Sequence, residues 1–318
     1  MLIAVVGPTA TGKSALGVAL ARALDPPGEV VNADAFQLYR GMDIGTAKVT
    51  AAERGEVPHH QIDVLDVAED ASVAHFQTAA RTDVADIESR GRRAILVGGS
   101  GLYVRSVLDR IEFPGTDPKI RGALEVRAEA EGARSLHDEL TRRDPVAAAN
   151  IGPGNVKRTV RALEVIELTG RPFSATLPVP EYVRPTVQIG LDCSRAVLDA
   201  RVEARVAKMW EQGLVAEVAA LADHGMGRTA ARAVGYAEVL EMLVGRCTEA
   251  VAREAVVVHT RRLARKQMGW FGRDPRIVWL DADAPDLVAQ ALDVVARAER
   301  GELDLPDASH RTRRTLGS

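Results

Sequence analysis

The 318-residue chain holds only two cysteines, Cys193 and Cys247. Two are too few for a disulfide framework or a four-cysteine zinc site, and Cys193 lacks the CxxC partner that would mark a redox or nucleophilic thiol. No apolar run approaches the roughly 20 residues needed to cross a bilayer. The first residues lack the basic-then-apolar pattern of a secretory signal. The sequence therefore reads as a cytosolic, reduced protein. An excess of positive charge is missing too. A formal net charge of −3 excludes a uniformly basic nucleic-acid binder, but not the local basic patches that decide such binding. There is no internal repeat and no low-complexity linker. What is present is globular: the 46% hydrophobic and 27% charged fractions are those of a soluble protein. The length allows one large domain or two smaller ones.

Against that background one stretch is specific. Gly7-Pro8-Thr9-Ala10-Thr11-Gly12-Lys13-Ser14 fits G-x-x-x-x-G-K-[ST], the phosphate-cradling P-loop. Its context fits as well. Leu2 to Val6 is a short continuous apolar run, as expected of a buried parallel strand. Leu16, Ala19, Leu20, Ala23 and Leu24 then recur at helical spacing. Glycines let backbone N–H groups turn inward around an anion, and the helix N-terminus adds its positive dipole end. Lys13 supplies a mobile charge for phosphate oxygens. Ser14 supplies a hydroxyl ligand for Mg²⁺. The loop predicts a bound phosphate or diphosphate without saying whose.

The rest of the chain predicts an α/β fold: a P-loop NTPase-like parallel sheet flanked by helices, with a helical insertion. A second strand, Glu29 to Ala33, ends at Asp34, which faces the P-loop because ligands lie beyond the carboxyl ends of parallel strands. A third, Ala94 to Val97, ends in Gly98-Gly99-Ser100-Gly101 without the carboxylate expected of a Walker-B strand. Attention therefore turns to Asp34. Residues 72–90, 195–224 and 248–271 read as helices, Val187 to Leu191 and Arg276 to Leu280 as strands. From Phe113-Pro114-Gly115 the composition shifts to Ala, Glu, Arg and Leu. The boundaries predicted are a core of 1–114 and 186–300, an insertion of 115–185, and a polar tail of 301–318. In the insertion, Val156, Val160, Leu163 and Ile166 form an apolar stripe. Lys157, Arg158 and Arg161 lie on a neighbouring face. The helix at 248–271 carries Arg253, His259, Arg261, Arg262, Arg265 and Lys266 and ends in Trp270-Phe271, either packing or a base-stacking platform. His59 and His60 beside Asp63 read as loop rather than metal ligands. His75, His137 and His259 read as structural.

Several motifs together resemble a known family. The P-loop is similar to the Gly-Pro-Thr-Ala-Ser-Gly-Lys-Thr of bacterial tRNA dimethylallyltransferases (tRNA isopentenyltransferases). So are the stretch Asn32 to Lys48, ending in Tyr39-Arg40-Gly41-Met42-Asp43-Ile44-Gly45-Thr46-Ala47-Lys48, and Pro58-His59-His60. So too are Val97 to Tyr103, Arg161 to Val165, Arg232-Ala233-Val234-Gly235-Tyr236, and Arg265-Lys266-Gln267 with Trp270-Phe271. The resemblance runs from residue 1 to about 283. It departs at Ala35-Phe36, Ala237 and Met268-Gly269.

The resemblance implies a reaction: transfer of a dimethylallyl group from dimethylallyl diphosphate to the exocyclic N6 amine of the adenosine 3′ of the tRNA anticodon, position 37. It implies that Gly7 to Ser14 hold the diphosphate and that Ser14 serves the Mg²⁺. It makes Asp34 the general base, and Arg232 a ligand of the departing diphosphate. It implies tRNA contacts from Asp34, Ala35, Phe36, Gln37, Ser100, Arg121, Lys157, Arg158, Thr159, Val160, Arg161 and Arg232. The insertion corresponds to the part that grips the anticodon stem-loop. A monomer is expected. The competing expectation is an ATP-using small-molecule kinase on the same loop.

Overall fold

The computed structural model describes residues 1–176, 179–303 and 316–317. The chain divides into two units, one of Met1–Leu108 with Tyr182–Ser318 and one of Asp109–Glu181. Most of the expected tail, at 304–315 and 318, lies outside the described residues.

The first unit is built on strands β1 (Leu2–Val6), β2 (Gly28–Asn32), β3 (His59–His60) and β4 (Arg93–Gly98). The second contains the short pair β5 (Asp109–Arg110) and β6 (Val179–Tyr182). Strands β7 (Thr186–Asp192) and β8 (Ile277–Asp281) return to the first sheet. That sheet runs β3-β2-β4-β1-β7-β8, and each of its pairings is parallel. Strand β1 lies between β4 and β7, with Ile3 opposite Ile95 on one side and Val187 on the other.

Every residue of β1 is fully buried because helices cover both faces. Leu2, Ala4 and Val6 point into a layer with α3 (Val73–Ser89) and α4 (Gly101–Leu108). Ile3 and Val5 point the other way, toward α1 (Lys13–Ala23) and α13 (Leu287–Glu299). This two-sided burial explains why the strand reads as unbroken apolar sequence rather than as alternation. Between β2 and β3 sits a single short turn of helix, α2 (Ala51–Arg54).

The second unit is helical: α5 (Pro118–Glu131), α6 (Ala133–Arg143), α7 (Pro145–Asn150) and α8 (Val156–Thr169). Asp117 caps α5 with Pro118 at its first position, and Asn155 caps α8; both caps satisfy N–H groups the helix leaves open. Leu124, Leu136, Leu140, Leu163 and Ile166 form its core.

The helix expected over 195–224 is two, α9 (Arg195–Glu211) and α10 (Leu214–His224). Gly213, at φ 98°, breaks them in the left-handed region that glycine tolerates. Helices α11 (Tyr236–Leu243) and α12 (Glu249–Phe271) complete the first unit. Near the end of the predicted insertion lies β6, a strand too short for periodicity to reveal.

Candidate active site at the carboxyl edge of the parallel sheet

The carboxyl ends of β1, β2 and β4 meet at one cavity of about 980 Å³. A turn where strand order reverses is the usual place for ligands in an open parallel sheet. Thr9, Ala10, Gly12, Lys13 and Ser14 line it. Gly7, Pro8 and Thr11 stand behind them. Thr11 is buried and its hydroxyl donates to Pro8 O at 2.8 Å. Gly12 caps α1 with φ 85°, and nothing lies within 4 Å of where a Cβ would stand. The N-terminus of α1 thus opens on the cavity, and no acidic residue occupies its first turn. Anions bind such a terminus.

Lys13 folds back so that its ammonium donates to Pro8 O at 2.5 Å. Burial pulls its pKa down to about 7, helped by the Arg205 guanidinium and opposed by Asp34. Asp34 lines the same cavity. Burial pushes its carboxyl up, against the N–H groups of Phe36 and Gln37 and the charge of Lys13. Phe36 N donates to Asp34 Oδ1 at 3.0 Å, and Asp34 N donates to Asn32 Oδ1 at 3.1 Å. The carboxylate is therefore held by backbone N–H groups just past β2. A raised carboxylate beside a lowered lysine is the pairing that acid–base chemistry uses.

Two further residues complete the site, and sequence reading gave neither a role. Arg205, on α9, lines the cavity and its Nη1 donates to Thr9 Oγ1 at 3.0 Å. Gln267, on α12, accepts from Thr9 N at 2.8 Å. Together they brace the P-loop from two helices distant in sequence. Arg232, expected on the diphosphate, is not among the cavity-lining residues. It is exposed, and its charge acts on Asp70. Of these two arginines, Arg205 lines the cavity.

The expected RNA-contacting residues separate into three groups. Ala35, Phe36, Gln37 and Ser100 gather around Asp34: Ala35 N donates to Ser100 Oγ at 3.4 Å, and Gln37 lines the cavity. In the second unit, Lys157 and Arg158 are exposed on α8. The remaining four are buried or paired within the unit. Thr159 and Val160 are 1% and 2% exposed, and Val160 packs in the helical core. Arg121 and Arg161 both pair with the fully buried Glu164, at 2.6 and 2.9 Å. Burial works against the Glu164 carboxylate, but these two guanidiniums and Asp117 N hold it below its ordinary range. Their first task is internal.

Elsewhere, the Trp270-Phe271 pair divides: Phe271 is in the core, while Trp270 is 43% exposed. On α12, Arg261 pairs with Glu203 and Asp199, Arg265 with Asp199 at 4.0 Å, and His259 with Glu238; Arg262, Arg265 and Lys266 lie on the exposed face. His60 Nε2 meets Glu29 Oε2 at 2.7 Å and His137 meets the carbonyl of Ile151 at 2.6 Å. Among the described residues no three His, Cys, Asp or Glu side chains cluster as a metal site. No described helix is long and apolar enough to cross a membrane.

Fold and site define an α/β protein of the P-loop NTPase-like fold, with a glycine-rich loop and a half-buried carboxylate lining one cavity. A sequence model of the IPP transferase family matches residues 37–274. The tRNA dimethylallyltransferase of Bifidobacterium longum (strain NCC 2705) is 54% identical over 310 residues, covering 96% of this chain and 94% of that one. That of Kineococcus radiotolerans is 58% identical over 304 residues, covering 92% and 96%. The crystal structure of the full-length tRNA isopentenylpyrophosphate transferase of Bacillus halodurans is 39% identical, covers 95% of this chain and 97% of that one, and superposes with a TM-score of 0.71. A eukaryotic dimethylallyltransferase acting on tRNA, at 24% identity and a TM-score of 0.82, shares the fold. The chain belongs to the IPP transferase family, the tRNA dimethylallyltransferases. The kinase alternative finds no relative among these proteins.

Proposed function

We propose that this protein transfers a dimethylallyl group from dimethylallyl diphosphate to N6 of adenosine 37 in a tRNA anticodon loop. The observation that carries this is the pairing of an open P-loop with Asp34 in one cavity. The C–O bond to diphosphate breaks, an N–C bond forms, and a proton leaves the amine. An adenine amine is a weak nucleophile, whereas diphosphate departs readily once its charge is met. In this reading the N–H groups at the start of α1, with Lys13 and Arg205, take up that developing charge, the largest contribution expected. Asp34 takes the proton, a contribution of roughly 10²–10⁴-fold. Burial raises its pKa above the ordinary carboxylate value, which makes it a stronger base.

A divalent ion fits the donor set only with substrate present. Ser14 offers one hydroxyl in the cavity, and Mg²⁺ favours one or two protein oxygens plus phosphate oxygens and water. Bound there, it would neutralise the leaving diphosphate. The adenine must leave its stack to enter the cavity, which favours a loop over a duplex. Ala35 to Gln37 and Ser100 adjoin Asp34 and receive the base in this account. Lys157 and Arg158 meet the backbone of the stem-loop, with salt-dependent affinity.

The test is mass spectrometry of an anticodon stem-loop incubated with dimethylallyl diphosphate and Mg²⁺ but no ATP. The loop should gain one dimethylallyl group on adenosine 37. An unmodified loop would contradict the proposal.

A further inference from the structure

One wall of the cavity is the segment from Asp43 to Val49, which contributes Ile44, Ala47 and Val49 among its apolar lining. Its residues belong to no helix or strand. Loops without such regularity normally move, yet this one is held from behind by a single carboxylate. Glu217, in the first turn of α10, accepts hydrogen bonds from three consecutive backbone amides. Its Oε2 takes Asp43 N at 3.1 Å and Ile44 N at 2.7 Å; its Oε1 takes Gly45 N at 3.1 Å. Successive inward N–H groups form an anion nest, here filled by the protein's own side chain.

Tyr236 completes the clamp. Its hydroxyl donates to Glu217 Oε1 at 2.5 Å, and burial with that carboxylate pushes the phenol far up, keeping it a donor. Its ring lies so close to Gly45 that a Cβ there would stand 2.4 Å from Cε2, so only glycine fits. The other end of the segment is pinned separately. Lys48, 4% exposed at its side chain, bridges Asp43 at 2.6 Å and Asp63 at 2.5 Å. Gln37 Nε2 holds Thr46 O at 3.1 Å.

We propose that Glu217, through its clamp on Asp43 to Gly45 with Tyr236, is a positioning residue that sets how long a prenyl chain the cavity accepts. This rests on the dimethylallyl-transfer reading. Glu217 itself does not line the cavity; it acts by fixing Ile44 and Ala47 against the space that the donor's hydrocarbon would fill. Charge-assisted bonds to backbone amides are the strong kind. Loss of the negative charge should loosen the wall without touching the P-loop.

The experiment compares full-length wild type with Glu217→Gln and Tyr236→Phe. Three quantities are measured: steady-state kinetics with dimethylallyl diphosphate, kinetics with geranyl diphosphate, and calorimetric binding of inorganic pyrophosphate. Glu217→Gln should raise KM for dimethylallyl diphosphate about tenfold with kcat changed less than about threefold. Its preference for dimethylallyl over geranyl diphosphate should fall roughly fivefold or more. Tyr236→Phe should shift both the same way by less. Pyrophosphate affinity should stay within about twofold for both, a result that general misfolding would not give. Unchanged donor selectivity in Glu217→Gln, or pyrophosphate binding lost in parallel with donor binding, would overturn the proposal. A wild type that transfers no prenyl group would instead overturn the functional reading, and this inference with it.

Discussion

Arg205 Nη1 reaches Thr9 Oγ1 at 3.0 Å, joining α9 to the P-loop across 196 positions of sequence. The guanidinium stands with Lys13 and Asp34 in one cavity and its charge acts on both. In the proposed reaction it is the second cation, beside Lys13, to meet the diphosphate. Arg205→Ala should weaken inorganic pyrophosphate binding by about 10–100-fold, the worth of one charge-assisted hydrogen bond. Arg205→Lys should recover part of it. Arg232→Ala, in contrast, should change pyrophosphate affinity by less than about threefold. Calorimetry on the three variants decides; equal losses at both positions would return Arg232 to the cradle.

The Asp34 carboxylate is aimed by the N–H groups of Phe36 and Gln37, and Asn32 holds the Asp34 backbone N–H. Asp34→Asn keeps the shape and removes the base. Single-turnover prenyl transfer should slow by roughly 10²–10⁴-fold while stem-loop affinity is preserved. Equal single-turnover rates would remove Asp34 as base.

Lys13 gives a pH signature. Its pKa in the unliganded protein is about 7, and a bound diphosphate favours the ammonium, raising it. Binding therefore takes up a proton above pH 7. Pyrophosphate affinity should fall as pH rises from about 7 toward the bound-state value, by at most about tenfold per pH unit. Lys13→Ala binds more weakly and leaves only the titration of pyrophosphate itself. A wild-type profile parallel to that of Lys13→Ala would contradict the assignment.

The helical unit offers a contrast between two kinds of basic residue. Lys157 and Arg158 are exposed, whereas Arg121 and Arg161 serve Glu164. Lys157→Ala with Arg158→Ala should flatten the salt dependence of stem-loop binding, by up to about two in the slope, at unchanged melting temperature. Glu164→Ala should destabilise the unit by roughly 3 kcal/mol, the low end for a broken buried pair, because both guanidiniums reach solvent. Thermal melts and filter binding separate the two effects. A salt slope unmoved in the double variant would make that face merely solvated.

The parts of the site that could be read from sequence are the local ones. The P-loop needs eight consecutive residues between a buried strand and a helix, and Asp34 follows its strand directly. Arg205 is marked by nothing local. It sits in an ordinary amphipathic helix, and only the fold of α9 over the sheet brings it to Thr9. Gln267 stands in a recognisable motif, but its bond to Thr9 N spans 258 positions. That Thr159 and Val160 are buried was not legible from the contiguous segment 157–161. On a helix, steps of about 100° turn two neighbours inward while Lys157 and Arg158 face out. The Arg161–Glu164 pair, at i,i+3, was visible in the sequence. That Glu164 is fully buried was not. Strands β5 and β6 escaped because two to four residues carry no readable period.

The central claim is that the glycine cradle holds the donor's diphosphate while Asp34 waits for the amine on the far side of the prenyl carbon. A crystal structure with an unreactive thiolo analogue of dimethylallyl diphosphate tests it most directly. The account predicts the diphosphate on the N-terminus of α1, within hydrogen-bond reach of Lys13 and Arg205, with the first prenyl carbon turned toward Asp34. A diphosphate seated away from Gly12 and Lys13, or a prenyl carbon turned away from Asp34, would contradict it.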